Sequence, residues 1–287
     1  MENFKIYSLC KINLTLRILK KINKNLHDIE SLITFCKPYD EILVKRINSS
    51  KDKIIFSGKF KSRIDKKYNT VTKVLSLLRK NNFLKNQKFL INVKKNIPHG
   101  SGLGGGSSNS AALLNFFNLK MNLKIKKNKI NKIASFIGFD TPINLVQKNT
   151  LIPGNKRKMI RIKNKFNFNI LLIYPNIVCS TKKIYQKNEN FSSSASRIKF
   201  YLNNKKKLIN FLSCERNDLQ KTVFKFYPKI KKIVEFVNSQ KGCYFSRITG
   251  SGSTIIGIFS NAKLARNTQK SIKLKFPKYW CEVSKTI

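Results

Sequence analysis

The chain predicts an α+β fold in two domains, and three observations carry that expectation. Strand-like and helix-like segments mix without strict βαβ alternation. The 287 residues, 41% of them hydrophobic, suffice for more than one sizeable core. A basic, apolar-poor stretch from Pro153 to Lys165 interrupts the pattern. The expected domains are therefore residues 1–156 and 157–287.

The elements follow in order. Alternating apolar residues predict strands over Phe4–Cys10, Ile12–Leu19, Ile29–Cys36 and Ile42–Ile47. Val71, Val74, Leu75 and Leu78 recur at helical spacing, so Tyr68–Leu78 reads as a helix. Phe89–Val93 is a short strand. Helices are expected over Ser107–Leu119, which is apolar enough to be buried, and over Asn128–Ile137. In the second half, Phe168–Tyr174, Cys243–Ile248, Thr254–Phe259 and Trp280–Val283 read as strands, and Ile230–Val237 and Ala262–Leu274 as helices. Phe191–Ser196 is a serine-rich connection, and no internal repeat is visible.

Between the strand ending at Val93 and the helix from Ser107 lies Pro98-His99-Gly100-Ser101-Gly102-Leu103-Gly104-Gly105-Gly106-Ser107-Ser108. Glycines tolerate positive φ and let successive N–H groups converge on an anion. The following helix start adds unpaired N–H groups and its dipole, so the construction suits phosphates. A Walker loop is excluded, because no lysine follows the glycines. Gly100, Gly102 and Gly105 satisfy the dinucleotide pattern GxGxxG, but no acidic residue occurs between the loop and Asp140 to hold a ribose. A slack linker does not fit Pro98 before the loop and an apolar helix after it.

Charge and cysteines narrow the class less. With 59 basic and 13 acidic residues the formal charge is +46. A polyanion partner or steering of an anionic substrate is one reading. Compositional drift is the favoured one, since Lys outnumbers Arg by about five to one and the basic residues are spread throughout. None of the six cysteines forms a CxxC, and His27 and His99 are the only histidines, so no zinc site is expected and the thiols read as reduced. Met1–Lys11 lacks a signal-peptide core, and no apolar run approaches a membrane span. A cytoplasmic protein is expected.

Four stretches together resemble the GHMP kinase superfamily: GLGGGSS with Pro98 upstream, Lys11-Ile12-Asn13-Leu14, Gly138-Phe139-Asp140-Thr141-Pro142, and Thr249-Gly250-Ser251-Gly252-Ser253-Thr254. Their order and spacing over nearly the whole chain resemble the branch that phosphorylates the 2-hydroxyl of a cytidine-diphosphate sugar alcohol. The resemblance implies an N-terminal ribosomal-protein-S5-domain-2-like domain and a C-terminal ferredoxin-like domain. It implies ATP with Mg2+ bound on Pro98–Ser108, meaning Pro98, His99, Gly100, Ser101, Gly102, Leu103, Gly104, Gly105, Gly106, Ser107 and Ser108. It also implies a monomer or homodimer, with neither a specific nucleic-acid partner nor a membrane.

Taken alone, Asp140 is equally a turn aspartate before proline and a proton acceptor; Lys11 is one lysine among many. The resemblance makes Asp140 the base and Lys11 its partner, and gives substrate roles to Asn13, His27, Tyr185, Gly250, Ser251 and Gly252. His27 stands at the family's Gly-Tyr-His position, and Tyr185 follows Ser180-Thr181 where an aromatic would stack on cytosine. This chain has Asn25 and Leu26 where the family has Gly-Tyr, so one face of the expected sandwich is aliphatic. Gly250–Gly252 reads equally as a hairpin turn, and Asn217-Asp218-Leu219 as structural. The competing readings are another GHMP kinase acting on mevalonate, homoserine or a sugar, a basic RNA-binding protein, and an inactive relic. The RNA-binding reading predicts clustered arginines and leaves GLGGGSS unexplained.

Overall fold

A computed structural model describes residues 3–23, 26–62, 64–155, 157–194, 198 and 201–287. Asn25, Lys156 at the expected domain boundary, Met1 and Glu2 of the N-terminal stretch, and the last two residues of the Phe191–Ser196 connection lie outside them. The chain divides into two compact units. The first comprises Met1–Lys11, Pro38–His99 and Gly104–Gln147; the second comprises Ile12–Lys37, Gly100–Leu103 and Lys148–Ile287. Both are mixed α and β. The division is interleaved rather than a single cut, because strands β1 (Asn3–Asn13) and β3 (Leu26–Ile47) each supply residues to both units.

In the first unit, β5 (Lys88–Lys94) pairs antiparallel with Glu41–Ile47 of β3 and parallel with β4 (Lys53–Ser57). Phe89, Ile91 and Val93 of β5 are buried while their neighbours are less so, as a half-buried strand requires. Helix α1 (Thr70–Lys80) starts at a capping box in which Asn69 accepts from the N–H groups of Val71 and Thr72. It buries Val71, Val74, Leu75 and Leu78. These pack with Leu113, Leu114, Phe116 and Phe117 of α2 (Gly105–Leu119) and with Ile130, Ile133, Ala134 and Ile137 of α3 (Lys127–Ile137). Full burial of a Val, Leu, Ile or Phe side chain contributes about 1.5–3 kcal/mol each. The short α4 (Thr141–Asn144) packs against α2.

In the second unit, Leu26–Lys37 of β3 pairs with β2 (Arg17–Asn23) and β6 (Thr150–Pro153), and β6 pairs with β7 (Ile160–Arg161). A four-stranded antiparallel sheet has the order β11-β8-β10-β9, formed by Trp280–Lys285, Asn169–Tyr174, Ile255–Phe259 and Cys243–Ile248. Central β8 is buried at Ile170–Tyr174, matching its continuous apolar run. Ile230, Ile233, Val234 and Val237 of α8 (Pro228–Asn238) pack in this core, with Ala265 and Ile272 of α9 (Ala262–Lys275). Between β8 and α8 stand α5 (Thr181–Gln186), α6 (Lys205–Cys214) and α7 (Gln220–Phe226).

Four sequence expectations change, the first being the strand expected over Ile12–Leu19, whose ends belong instead to β1 and β2. Ile29–Cys36 and Ile42–Ile47 are one 22-residue strand, β3. Pro38 falls between the residues paired with β6 and those paired with β5, where its missing N–H breaks neither ladder. The basic stretch after Pro153 contains β7, which the polar composition concealed. Helix α2 begins at Gly105, two residues before the expected Ser107, because the positive φ of Gly104 already ends the loop.

Candidate active site

The first unit brings Lys11 and Asp140 together. Their Nζ and Oδ2 atoms lie 3.1 Å apart, with the lysine side chain 4% and the aspartate 40% exposed. Cys10, Lys11, Ile12 and Asn13 are all buried, so Lys11 is not a solvated edge lysine. Its charge is held inside the protein by the carboxylate. Asp140 occupies the N-cap position of α4, yet its side chain makes no capping hydrogen bond. The innocent role of a turn aspartate is therefore not the one its carboxylate fills.

The pair lies against the start of α2. A Cβ built on Gly104 would stand 3.2 Å from Lys11 Cε and 3.9 Å from Asp140 Oδ2, and Gly104 has φ +65°. Here glycine serves both conformation and close approach. Helix α2 is tied to β1 on both sides of Leu9: Ser108 Oγ donates to the Leu9 carbonyl at 2.6 Å, and Ser8 Oγ donates to Asn109 Oδ1 at 2.5 Å. Strand, loop and helix start are thus locked in one register. The first-turn N–H groups of α2 point out of the helix where an anion would be favoured.

Entry into the loop is held by Asp40. Its fully buried carboxylate accepts from Lys95 Nζ and from the N–H groups of Asn96 and Ile97, the last two at 2.7 and 2.9 Å. Burial pushes the Lys95 pKa down, against the opposing attraction of Asp40. Pro98 follows, buried, and His99 is exposed. Composition gave no hint of Asp40, since an acid three residues past Lys37 resembles any surface carboxylate.

The second unit holds Gly100–Leu103, and there the two glycine motifs interlock. A Cβ on Gly102 would collide with the Thr249 carbonyl oxygen, and the Thr254 N–H donates to the Ser101 carbonyl at 3.0 Å. The Asn13 N–H donates to Thr249 Oγ1 at 2.8 Å, and Asn13 Nδ2 donates to Ser31 Oγ at 2.8 Å. Gly250–Gly252 joins β9 to β10, so the hairpin reading describes its topology. The turn is also more than a connection. Asn217 Nδ2 donates to the Ile248 and Gly250 carbonyls, and Ser251 Oγ bonds Thr181 Oγ1 at 2.8 Å. The expectation that Asn217-Asp218-Leu219 is structural is met, with Asp218 Oδ2 accepting from the Ile18 N–H.

One turn of α5 links this cluster to the remaining positions. Thr181 begins the helix, and near its end the Tyr185 ring meets His27 at 5.2 Å with planes tilted by 47°. Burial, and then the charge of Lys21, holds the His27 pKa below its usual value. Cys179, beside Gly252, is pushed up to about 12 by burial and is inert as a nucleophile. Among the described residues no group of three or more His, Cys, Asp or Glu could hold a metal. No described helix is long and apolar enough to cross a membrane.

Family models describing the N-terminal domain and the C-terminal domain of GHMP kinases match residues 69–146 and 202–278. A 4-diphosphocytidyl-2-C-methyl-D-erythritol kinase of Pelagibacter ubique is 40% identical, with both chains covered in full. The chain belongs to the GHMP kinases. A relative of the same description from Wolbachia pipientis is 32% identical, covering 98% of this chain and 97% of its own. A solved 4-(cytidine 5'-diphospho)-2C-methyl-D-erythritol kinase has the same fold, with a TM-score of 0.79 at 18% identity over 98% of this GHMP kinase and 99% of the other chain. The homoserine kinase of Cytophaga hutchinsonii superposes with a TM-score of 0.67 at 16% identity, covering 100% and 98%.

Proposed function

We infer that this GHMP kinase transfers the γ-phosphoryl group of ATP to the 2-hydroxyl of 4-(cytidine 5'-diphospho)-2-C-methyl-D-erythritol, a step of the non-mevalonate isoprenoid-precursor pathway in the cytoplasm. The observation that carries this is the end-to-end relationship to kinases of that description, at 40% identity. The Lys11–Asp140 pair at 3.1 Å is what supports the chemistry.

In this reading Asp140 accepts the hydroxyl proton as the oxygen bonds to the γ-phosphorus and the bond to the β,γ-bridging oxygen breaks, releasing ADP. Lys11 pairs with the Asp140 carboxylate and stabilises charge at the attacking oxygen. The helix α2 start and the positive-φ Gly100, Gly102 and Gly104 offer N–H groups to phosphates, so residues 98–108 fit a nucleotide. Mg2+ would be carried chiefly by phosphate and water, with the Ser107 hydroxyl and the Asp140 carboxylate as oxygen donors this chain could offer, and it would neutralise phosphate charge. Asn13 and the Gly250–Gly252 turn take the substrate's polar groups, and His27 with Tyr185 takes the cytosine. The large positive charge draws in anionic substrates without selecting a nucleic acid.

The test offers the cytidylyl substrate beside mevalonate and homoserine, with Asp140→Asn and Lys11→Ala as variants. Product from the cytidylyl substrate alone is expected. Each variant should lose roughly two to four powers of ten in kcat, with the double variant little worse. Turnover of only mevalonate or homoserine would sink the substrate assignment.

A further inference from the structure

Asp140 does not cap α4 with its side chain, so something else must fix its backbone while the carboxylate faces Lys11. Helix α4 is a single turn of four residues, and its closing bond, from the Asn144 N–H to the Asp140 carbonyl, is 3.3 Å long. The Asn144 side-chain amide reaches the same carbonyl at 2.7 Å through Nδ2. Asn144 is 1% exposed, and its Oδ1 has no hydrogen-bond partner among the described residues. Exchanging the amide oxygen and nitrogen brings no relief, because it would set oxygen against the Asp140 carbonyl. Neighbouring polar groups are satisfied: Thr141 Oγ1 with Ser110 Oγ, and Asn115 Nδ2 with the Leu145 carbonyl.

A buried amide that leaves its acceptor unmatched is a poor space filler, since an apolar side chain of similar shape avoids the cost. Local rules are broken in this way where function needs a geometry that packing alone does not supply. We propose that Asn144 is a positioning residue, whose amide pins the Asp140 carbonyl and so aims the carboxylate at Lys11 and at the hydroxyl it deprotonates. This rests on the reading of Asp140 as proton acceptor. Asn144 touches neither substrate nor reacting atoms; it acts through Asp140 within the first unit.

The experiment compares Asn144→Leu and Asn144→Ala with wild type, measuring kcat, the KM for ATP and the thermal midpoint. Asn144→Leu removes the donor and the unmatched acceptor together. Its kcat should fall by about tenfold, as expected for a small misplacement of a reacting group, with the KM for ATP unchanged and the midpoint not lowered. Asn144→Ala should lose kcat similarly, and its lower midpoint reports the space left behind. If kcat, KM and midpoint deteriorate together in both variants, Asn144 is a general structural residue and the inference fails. It fails equally if folded Asn144→Leu keeps wild-type kcat. Asp140→Asn, run alongside, separates the two ideas: full turnover there removes the base assignment itself, whereas its loss beside full activity in Asn144→Leu removes only the role of Asn144.

Discussion

Gly104→Ala is the sharpest test of the contact between the nucleotide loop and the charged pair. An alanine at φ +65° bears the left-handed penalty of about 1–2 kcal/mol. For a chain of this size that lowers the thermal midpoint by roughly 2–8 °C. The larger consequence is geometric. The new methyl would stand 3.2 Å from Lys11 Cε and 3.4 Å from its Cβ, closer than ordinary contact, so the lysine must yield by a few tenths of an ångström. That movement lengthens the 3.1 Å approach to Asp140 or tilts it. Displacements approaching an ångström at a reacting group cost up to about a hundredfold in rate, so a loss of about ten- to a hundredfold in kcat is expected. Gly106→Ala, in the same glycine run, is the comparison that reports on ATP binding rather than on the pair, because its methyl would meet Thr70 and not Lys11, at an ordinary 3.5 Å, and the backbone there is helical. The assay is coupled ADP release with melting curves on both variants. A Gly104→Ala enzyme with a lowered midpoint but wild-type kcat would refute the idea that this contact sets the pair's geometry.

Three variants in the second unit have equally definite outcomes. His27 titrates below its unfolded value near 6.5, so between those values the unfolded chain binds more protons. Its contribution to stability is complete above about pH 6.5 and is lost as pH falls through the folded pKa. His27→Gln should flatten that part of the stability curve, and an unchanged acid slope would remove His27 as its source. Tyr185→Ala should weaken cytidine diphosphate binding by roughly 1–3 kcal/mol, and Leu26→Tyr should tighten it by up to about tenfold; calorimetric titration in which Tyr185→Ala binds as wild type does would show the base pocket misplaced.

The helices that sequence reads well are those whose apolar spacing coincides with burial. Tyr68–Leu78 and Ile230–Val237 match α1 and α8 to within two residues at each end. Strand Cys243–Ile248 matches β9 outright. Elements whose evidence is mainly tertiary escape it. β4 and β6 are short, and β7 sits in a lysine-rich stretch that only pairing with β6 makes a strand. α5 is six residues with a single buried apolar side chain, Ile184. In the site, glycines and isolated charges are visible as chemistry, which is why Gly104, Lys11 and Asp140 could be singled out. What holds them is not visible: Asn144 and Asp40 act on backbone carbonyls or N–H groups, and those partners have no signature in residue type.

The interleaving of the two units bears on how the molecule is made. Once residue 147 has been synthesised, all three segments of the first unit exist; the second still awaits residues 148–287. At about 5–20 residues per second, that wait is of the order of ten seconds. Throughout it, Ile12–Lys37 and Gly100–Leu103 have left the ribosome without β6, which later pairs with β3, or Thr254, whose N–H later bonds the Ser101 carbonyl. Among them are Leu32, Ile33 and Phe35, fully buried in the finished protein. A nascent chain carrying such a segment is a natural client for holding chaperones, and cutting the gene in two does not relieve it, since a cut after residue 147 leaves the first unit whole but parts Ile12–Lys37 and Gly100–Leu103 from the rest of the second.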